Sequence, residues 1–140
     1  MTRVTYAELI DAARQATKLS YAPYSGFRVG AAALTDGGDV VAGCNIENAA
    51  YSPTVCAERV ALFSARAQGK GKIVAVAIVT PSGATCTPCG TCRQVLWELA
   101  RDADIVLEDG RGGYFTERLS ALLPQAFGPE DLGIDPSAAS

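Results

Sequence analysis

Apolar residues recur at helical spacing in four stretches of the chain. The first stretch opens with a capping box, Thr5-x-x-Glu8, and continues with apolar residues three and four positions apart. In the second, the run Val60-Ala61-Leu62-Phe63 is apolar almost all round, which predicts a helix buried in the domain or against another subunit. The pattern predicts helices over residues 5–20, 55–67, 89–99 and 119–123.

Five shorter segments have the pattern of strands. Two of them flank Asp36-Gly37-Gly38-Asp39, a turn sequence that predicts a hairpin, and a third is a continuous apolar run typical of a strand buried on both faces. The predicted strands cover residues 27–34, 40–46, 73–79, 105–107 and 114–115. The resulting order, α-β-β-α-β-α-β-β-α, predicts an α/β fold: a three-layer α-β-α sandwich around a mixed five-stranded sheet.

Length and composition narrow the class of protein. The 140 residues suffice for one domain with a core, over residues 1–127, followed by a mostly polar C-terminal tail over residues 128–140. Apolar residues make up 49% of the chain and charged residues 19%, which excludes a disordered or fibrous protein. The net charge of −3 and the lack of a basic run argue against a nucleic-acid partner and favour a small molecule.

The sequence also predicts the compartment. The N-terminal residues lack the apolar core of a signal peptide, and no stretch approaches the length of a membrane span. The five cysteines are an odd number, which argues against a disulfide framework. We therefore expect a soluble cytoplasmic protein that does not contact a membrane.

Two short blocks, Cys56-Ala57-Glu58-Arg59 and Pro88-Cys89-Gly90-Thr91-Cys92-Arg93, carry the candidate chemistry. A Cys-x-x-Cys pair can hold one metal ion, and a third cysteine leaves one tetrahedral position open, as in catalytic zinc sites. The chain contains no histidine, which excludes Ser-His-Asp and Cys-His nucleophilic sites and any histidine-ligated metal. Both blocks start predicted helices, where the helix dipole favours thiolates. The pattern indicates a hydrolytic zinc enzyme.

Two further residue types complete this candidate site. Glu58 lies two residues from a ligand cysteine among apolar neighbours, a position from which a carboxylate can transfer the protons of a metal-activated water. Three thiolates give a zinc site a net negative charge, so we expect a nearby cation that donates hydrogen bonds to the sulfurs. Arg59 and Arg93 each directly follow a key residue and are both candidates for that cation.

Other interpretations of the cysteines remain open. A Cys-x-x-Cys pair can also be a redox pair or two packed core residues. Cys86 lies three residues before Cys89, which permits a closed four-cysteine site in a non-catalytic, zinc-stapled binding module. Such a site would leave Glu58 without a function. Cys44, at the end of a predicted strand, is most simply a small core residue.

The block Asn45-Ile46-Glu47-Asn48 follows the second predicted strand. Asparagine there can simply open a loop. Alternate residues of an extended chain point the same way, however, so that Asn45 and Glu47 would present an amide and a carboxylate side by side. Such a pair suits a diol such as ribose, and the carboxylate would repel a phosphate. The block therefore favours a nucleoside over a nucleotide as ligand.

These motifs resemble the cytidine deaminase family, specifically its small homotetrameric class, and the match extends along nearly the whole chain. The paired zinc motifs mark the wider deaminase superfamily, whereas the Asn-Ile-Glu-Asn block is more specific for free pyrimidine nucleosides. Cys86 and Pro53 depart from the family pattern. The matching segments are Pro23-Tyr24-Ser25, Phe27, Val29-Gly30-Ala31-Ala32, Gly43 to Ala49, Tyr51, the two cysteine blocks with Gln94, and Leu123-Pro124-x-Ala126-Phe127.

The resemblance implies a cytidine deaminase-like fold and zinc-dependent hydrolytic deamination of cytidine and deoxycytidine to uridine and deoxyuridine, with release of ammonia, in pyrimidine salvage. It implies one Zn²⁺ per subunit, held by Cys56, Cys89 and Cys92. Glu58 would take a proton from the water at the zinc, deliver it to N3 of the base, and later help ammonia leave from C4. Arg59 would donate hydrogen bonds to the ligand thiolates.

The resemblance also implies roles for substrate-binding residues. Asn45 and Glu47 would bind the ribose hydroxyls, the Ala57 backbone would contact the base edge, and Phe27 would pack near the ring. Ala49, Tyr51 and Phe127 are placed where neighbouring subunits of a homotetramer complete each other's pockets. By sequence alone, both phenylalanines would be core residues. The alternative is a relative that acts on another cytosine compound, such as blasticidin S or a phosphorylated nucleotide.

Overall fold

The computed structural model describes residues 3–136. Within this range the helices and strands follow the predicted order. The helices are α1 (Tyr6–Thr17), α2 (Ala57–Ala67), α3 (Gly90–Leu99) and α4 (Leu119–Leu122). The strands are β1 (Gly30–Thr35), β2 (Val40–Cys44), β3 (Ile73–Val79), β4 (Asp104–Glu108) and β5 (Tyr114–Arg118).

The five strands form one mixed sheet in the order β2-β1-β3-β4-β5. Strands β3 and β4, which are joined through α3, pair in parallel, and the other neighbours pair antiparallel. Successive residues of β1 point to opposite faces: Ala32 and Leu34 pack in the core beneath α1, whereas Ala31 and Ala33 pack in the core beneath α2 and α3. The predicted three-layer α/β architecture is confirmed.

Two glycines let helices lie directly on the sheet. A Cβ atom at Gly30 would be 1.9 Å from the carbonyl oxygen of Ala13 in α1. A Cβ atom at Gly43 would be 2.6 Å from the carbonyl oxygen of Ala57 and from the amide nitrogen of Ala61 in α2. Because Gly43 admits the backbone of α2 so closely, β2 sets the position of the first turn of that helix.

Strand β1 begins at Gly30, three residues later than predicted. In the preceding residues the side chain of Asn45 binds the backbone: the carbonyl of Phe27 accepts from its amide nitrogen, and the N–H of Val29 donates to its oxygen. Strand β2 likewise ends at Cys44, two residues earlier than predicted. Where the two regular strands end, the side chain of Asn45 therefore adds hydrogen bonds to the backbone bond between Asn45 and Val29.

Helix α2 buries only one side. Ala61 and Leu62 are buried in the core, as predicted, but the neighbouring Phe63 is about half exposed. The sequence predicted that this apolar helix is buried. In the single chain its Phe63 side remains exposed. No helix of the described residues is long and apolar enough to cross a membrane.

Residues 128–136 pack along α3. Gly128 and Pro129 are buried, and a 3₁₀ helix follows at Pro129–Leu132. The carboxylate of Glu130 accepts a hydrogen bond of 2.8 Å from Arg101, whose guanidinium lies 4.3 Å from the ring centroid of Trp97. The predicted division of the chain at residue 127 stays a prediction, and residues 137–140 of the predicted tail lie outside the described residues.

Candidate active site

Helices α2 and α3 point their N-terminal ends at one place. Cys56 is the N-cap residue of α2, Cys89 is the N-cap residue of α3, and neither sulfur caps its own helix. Cys92 follows in the first turn of α3 and is fully buried. The three sulfur atoms lie within 4.8 Å of one another, and those of Cys56 and Cys89 are 3.8 Å apart. The predicted convergence of the two cysteine blocks is present.

The geometry and chemistry of this cluster fit zinc. A tetrahedral Zn²⁺ with Zn–S bonds of about 2.3 Å holds its sulfurs about 3.8 Å apart. Thiolates at helix N-termini are stabilised by the helix dipole and the free N–H groups. Among the described residues, the cluster consists of Cys56, Cys89 and Cys92 and does not include Cys86. Three protein ligands leave the fourth tetrahedral position open, as catalytic chemistry requires.

The thiols of the cluster differ in acidity. Hydrogen bonds from Cys92, Arg59 and Cys89 lower the pKa of Cys56 to about 5, although burial acts in the opposite direction. The hydrogen bond to Cys56, together with burial, raises the pKa of Cys92. The surroundings of Cys56 therefore favour its thiolate, which is the form that ligates a metal.

The two arginines beside the cysteine blocks have different partners. Arg59 donates a hydrogen bond of 3.4 Å to the sulfur of Cys56 and so places a positive charge beside the thiolates. Arg93 instead donates to two backbone carbonyls, that of Pro88 at 2.7 Å and that of Leu122 at 2.7 Å. The expectation that Arg93 could also support the sulfurs was wrong. Its guanidinium ties the loop before Cys89 to the end of α4.

Glu58, in the first turn of α2, is buried with 3% of its surface exposed. Burial is the main cause that raises the pKa of its carboxyl group, and the negative charge on Cys56 adds to the effect. A carboxyl group with a raised pKa can both accept and return a proton near neutral pH. Its place in the wall of a cavity beside the sulfurs gives it access to a reacting molecule.

The cavity has a volume of about 300 Å³. Its wall includes Cys56, Cys89 and Glu58 together with Asn45 and Glu47, so the structure brings the acid–base candidate and the predicted ribose-binding pair to one pocket. An adjacent, more open cavity of about 350 Å³ shares Glu47 and extends towards Tyr24 and Tyr51. The remaining lining residues of the first cavity are Ser25, Phe27, Val29, Thr54, Val55, Cys86 and Thr87.

Asn45 and Glu47 are both fixed by the segment that precedes β1. The buried side chain of Asn45 accepts from the N–H of Val29 at 2.9 Å and donates to the carbonyl of Phe27 at 2.8 Å. The carboxylate of Glu47 accepts from the Ser25 hydroxyl, from the N–H of Ser25 at 3.0 Å and from that of Tyr24 at 2.9 Å. The hydrogen bonds from Ser25, and that from Tyr24, lower the pKa of Glu47.

The predicted aromatic residues are exposed in the single chain. Phe27 is 56% exposed, Phe127 58% and Tyr51 73%. Phe27 and Phe127 therefore do not lie in the core, and the prediction made from their residue type alone was wrong. Tyr51 also adopts a φ of 53°, a left-handed conformation that is uncommon outside glycine. Its ring meets that of Tyr24 edge-on, with centroids 6.3 Å apart.

The two predicted alanines of the site differ in exposure. Ala57 is fully buried at the start of α2, whereas Ala49 lies on the exposed loop that also carries Tyr51. Sequence reasoning missed Thr54 and Thr87 as lining residues, because no local pattern distinguishes them from other loop threonines. It also gave no role to Ser25, although Ser25 belongs to the Pro23-Tyr24-Ser25 motif and binds Glu47.

Comparison with known proteins agrees with this geometry. The family model "Cytidine and deoxycytidylate deaminase zinc-binding region" matches residues 4–108. A cytidine deaminase of Halalkalibacterium halodurans is 46% identical over 125 residues, which cover 89% of this chain and 95% of the relative. A cytidine deaminase of Mycobacterium tuberculosis is 43% identical over 132 residues, which cover 94% of this chain and 96% of the relative.

Solved structures show the same similarity. The crystal structure of cytidine deaminase from Burkholderia pseudomallei superposes with a TM-score of 0.83 at 45% sequence identity, and the match covers 89% of this chain and all (100%) of that one. A crystal structure of cytidine deaminase from Mycobacterium tuberculosis gives a TM-score of 0.79 at 44% identity. The match therefore includes residues beyond position 108, where the family model ends.

Proposed function

The chain belongs to the cytidine and deoxycytidylate deaminase family, and from this membership we propose that it hydrolyses cytidine and deoxycytidine to uridine and deoxyuridine, with release of ammonia, in pyrimidine salvage. The observation that carries the proposal is the buried carboxyl group of Glu58 beside three convergent cysteine sulfurs, two of which share the wall of one pocket with it. The same pocket contains Asn45 and Glu47, which suit a free nucleoside.

The metal centre takes one zinc ion per subunit, held by Cys56, Cys89 and Cys92. When bound, Zn²⁺ supplies the Lewis acidity that makes a water molecule nucleophilic at neutral pH. Arg59 offsets the negative charge of the three thiolates through its hydrogen bond to Cys56.

Glu58 carries the protons of the reaction. It accepts one proton from the attacking water and delivers it to ring atom N3 as the new C4–O bond forms. It then transfers the second proton of that water to the exocyclic amine, the C4–N bond breaks, and ammonia leaves. The raised pKa of Glu58 suits a group that must both take and return a proton. The protons and bonds balance without any further reactant.

Asn45 and Glu47 orient the ribose. The three hydrogen bonds from Ser25 and Tyr24 keep the Glu47 carboxylate ionised and fixed, and they leave one of its lone pairs to accept from a sugar hydroxyl. The negative charge repels a phosphate, which supports a nucleoside rather than a nucleotide as substrate. Phe27 packs near the base, and the backbone of Ala57 contacts its edge.

The active enzyme is a homotetramer with pockets shared between subunits, in which Ala49, Tyr51 and Phe127 complete the pockets of neighbours. The exposed rings of Tyr51, Phe127 and Phe63 support such an assembly, because large exposed apolar groups mark interaction surfaces. The unusual backbone of Tyr51 supports it as well, since strained residues cluster at functional sites. A site of three free thiols suits the reducing cytoplasm.

A substrate panel tests the proposal. The purified protein is incubated with cytidine, deoxycytidine, deoxycytidine monophosphate and blasticidin S, and deamination is followed by the change in absorbance. We expect turnover of both nucleosides and little of the monophosphate. A preference for the monophosphate or for blasticidin S would contradict the assignment.

A further inference from the structure

One side chain of the pocket wall has no part in the chemistry described above. Cys86 lines the same cavity as Glu58, Cys56 and Cys89, but it does not belong to the cluster of metal-ligating sulfurs. It is partly buried and packs against the main hydrophobic core. A free cysteine in such a place behaves as a small apolar group. Cys86 therefore contributes to the apolar lining of the cavity, together with Phe27, Val29 and Val55.

The loop that carries Cys86 is anchored on both sides of this residue. The hydroxyl of Thr85 donates a hydrogen bond of 2.6 Å to the carbonyl of Glu108 at the end of β4. On the other side, Pro88 is fully buried, and its carbonyl accepts the bond of 2.7 Å from Arg93. Because Thr85 and Pro88 are both anchored, we expect the short segment between them to keep its place when a ligand binds. The volume of the side chain at position 86 therefore limits the room in the cavity.

The cavity is small. Its volume of about 300 Å³ lies at the small end of the range for ligand pockets, about 300–1,000 Å³. In a fitted apolar pocket one methyl group changes the specificity constant by about 10–200-fold. A change of one or two side-chain atoms at position 86 is comparable in size to one methyl group, so we expect it to change the specificity constant measurably.

We propose that Cys86 is a specificity-determining residue that limits the size of the substituent on C5 of the pyrimidine ring. This inference rests on the proposed function, because Glu58 must face N3 and C4 of the base. The wall shared with Glu58 then borders the reacting end of the ring, where C5 is the carbon that can carry an added group. The ligand class in question is the 5-substituted cytosine nucleosides.

The test compares kcat/KM for 5-methylcytidine and cytidine in the wild type, Cys86→Ala and Cys86→Leu. We expect the ratio of 5-methylcytidine to cytidine to rise at least about 10-fold in Cys86→Ala and to fall at least about 10-fold in Cys86→Leu. Cys44→Ala is the matched control, since Cys44 is a non-ligand cysteine at the end of β2 that does not line this cavity. Its ratio should equal that of the wild type.

The ratio also separates specificity from general damage, because partial loss of zinc or of folded protein lowers both rates equally. A ratio in Cys86→Ala within about twofold of the wild-type value overturns the inference, even if Cys86→Leu does not fold. A ratio that moves in the opposite direction overturns it as well. If the wild type deaminates cytidine but the ratio is unchanged, only the inference fails; if it deaminates neither nucleoside, the proposed function fails and the inference with it.

Discussion

The side-chain amide of Asn45 donates a hydrogen bond to the carbonyl of Phe27, 2.8 Å away, and thereby holds an aromatic ring at the edge of the pocket. The oxygen of the same amide binds the N–H of Val29. Asn45 thus shapes one wall of the site with its side chain while it is itself part of that wall. Its contribution to folding and its contribution to binding are therefore linked.

Asn45→Ala should reduce both stability and substrate affinity. It leaves the carbonyl of Phe27 and the N–H of Val29 without their partner, at a cost of about 1–3 kcal/mol in the free energy of unfolding. Urea unfolding and KM for cytidine measure the two effects. Glu47→Gln is the comparison, because the new amide oxygen can still accept from the N–H groups of Ser25 and Tyr24, so that we expect a higher KM with a smaller loss of stability. An Asn45→Ala protein of wild-type stability would contradict the structural part of this account.

Gly43→Ala should displace α2 and with it the metal site. The added Cβ would lie 2.6 Å from two backbone atoms of α2, at Ala57 and Ala61, which cannot move independently. We expect a loss of about 1–3 kcal/mol or more in stability, together with lower zinc content, because Cys56 starts the displaced helix.

Gly37→Ala is the matched control for this substitution. Its Cβ would meet its nearest neighbour, the Thr35 hydroxyl, at 3.9 Å. Thermal unfolding measures the stability of both variants, and zinc analysis measures their metal content. If Gly43→Ala and Gly37→Ala had equal melting temperatures, the close contact between β2 and α2 would be refuted.

Tyr6→Phe should change the pH dependence of stability. Burial, and then the hydrogen bond of 2.6 Å to Asp104, raise the pKa of Tyr6 to about 12 from its ordinary value of 10.0. The folded state thus favours the protonated phenol. The stabilisation is complete below pH 10.0 and is lost as the pH rises through about 12. The variant lacks this hydrogen bond throughout.

Urea unfolding of the wild type and Tyr6→Phe at pH 8 and at pH 11 measures this effect. We expect the wild type to be more stable by about 1 kcal/mol at the lower pH, since the pair is partly solvated, and the difference to shrink at the higher pH. A difference that grew as the pH rose would refute the assignment of the protonated hydroxyl as donor.

The proposed sharing of pockets between subunits predicts complementation between two defective variants. Glu58→Gln loses the proton carrier of its own pocket, whereas Phe127→Ala removes the ring that it would supply to a neighbour. In a mixed tetramer, a pocket with intact Glu58 can receive an intact Phe127 from the other variant. Co-refolded mixtures should therefore be more active than either variant alone. Activity equal to the mean of the two separate proteins would show that each pocket is built from one subunit.

Local patterns in the sequence predicted most of the fold and the convergence of the three cysteines. Apolar spacing places each helix and strand, and the Cys-x-x-Cys spacing puts two sulfurs on adjacent turns of a helix start. Both signals depend only on neighbouring residues. Glu58 was predictable for the same reason, because its apolar neighbours on α2 indicate burial.

Long-range contacts were not predictable in this way. Arg59 and Arg93 each directly follow a key residue of their blocks, yet Arg93 reaches the carbonyl of Leu122, which lies 29 residues further along the chain. The packing of Glu130 on Arg101 likewise joins segments 29 residues apart. No local pattern reveals which carbonyl or carboxylate will be near after folding, so these partners require the three-dimensional structure.

The most direct test of the account measures bound zinc and cytidine turnover in the wild type and in Glu58→Gln, side by side. General acid–base catalysis contributes about 10²–10⁴-fold, so kcat should fall at least about 100-fold in the variant. Both proteins should hold one zinc ion per subunit, since the three sulfurs are unchanged. Near-normal turnover by the variant, or full activity of a wild type freed of metal, would contradict the central claim.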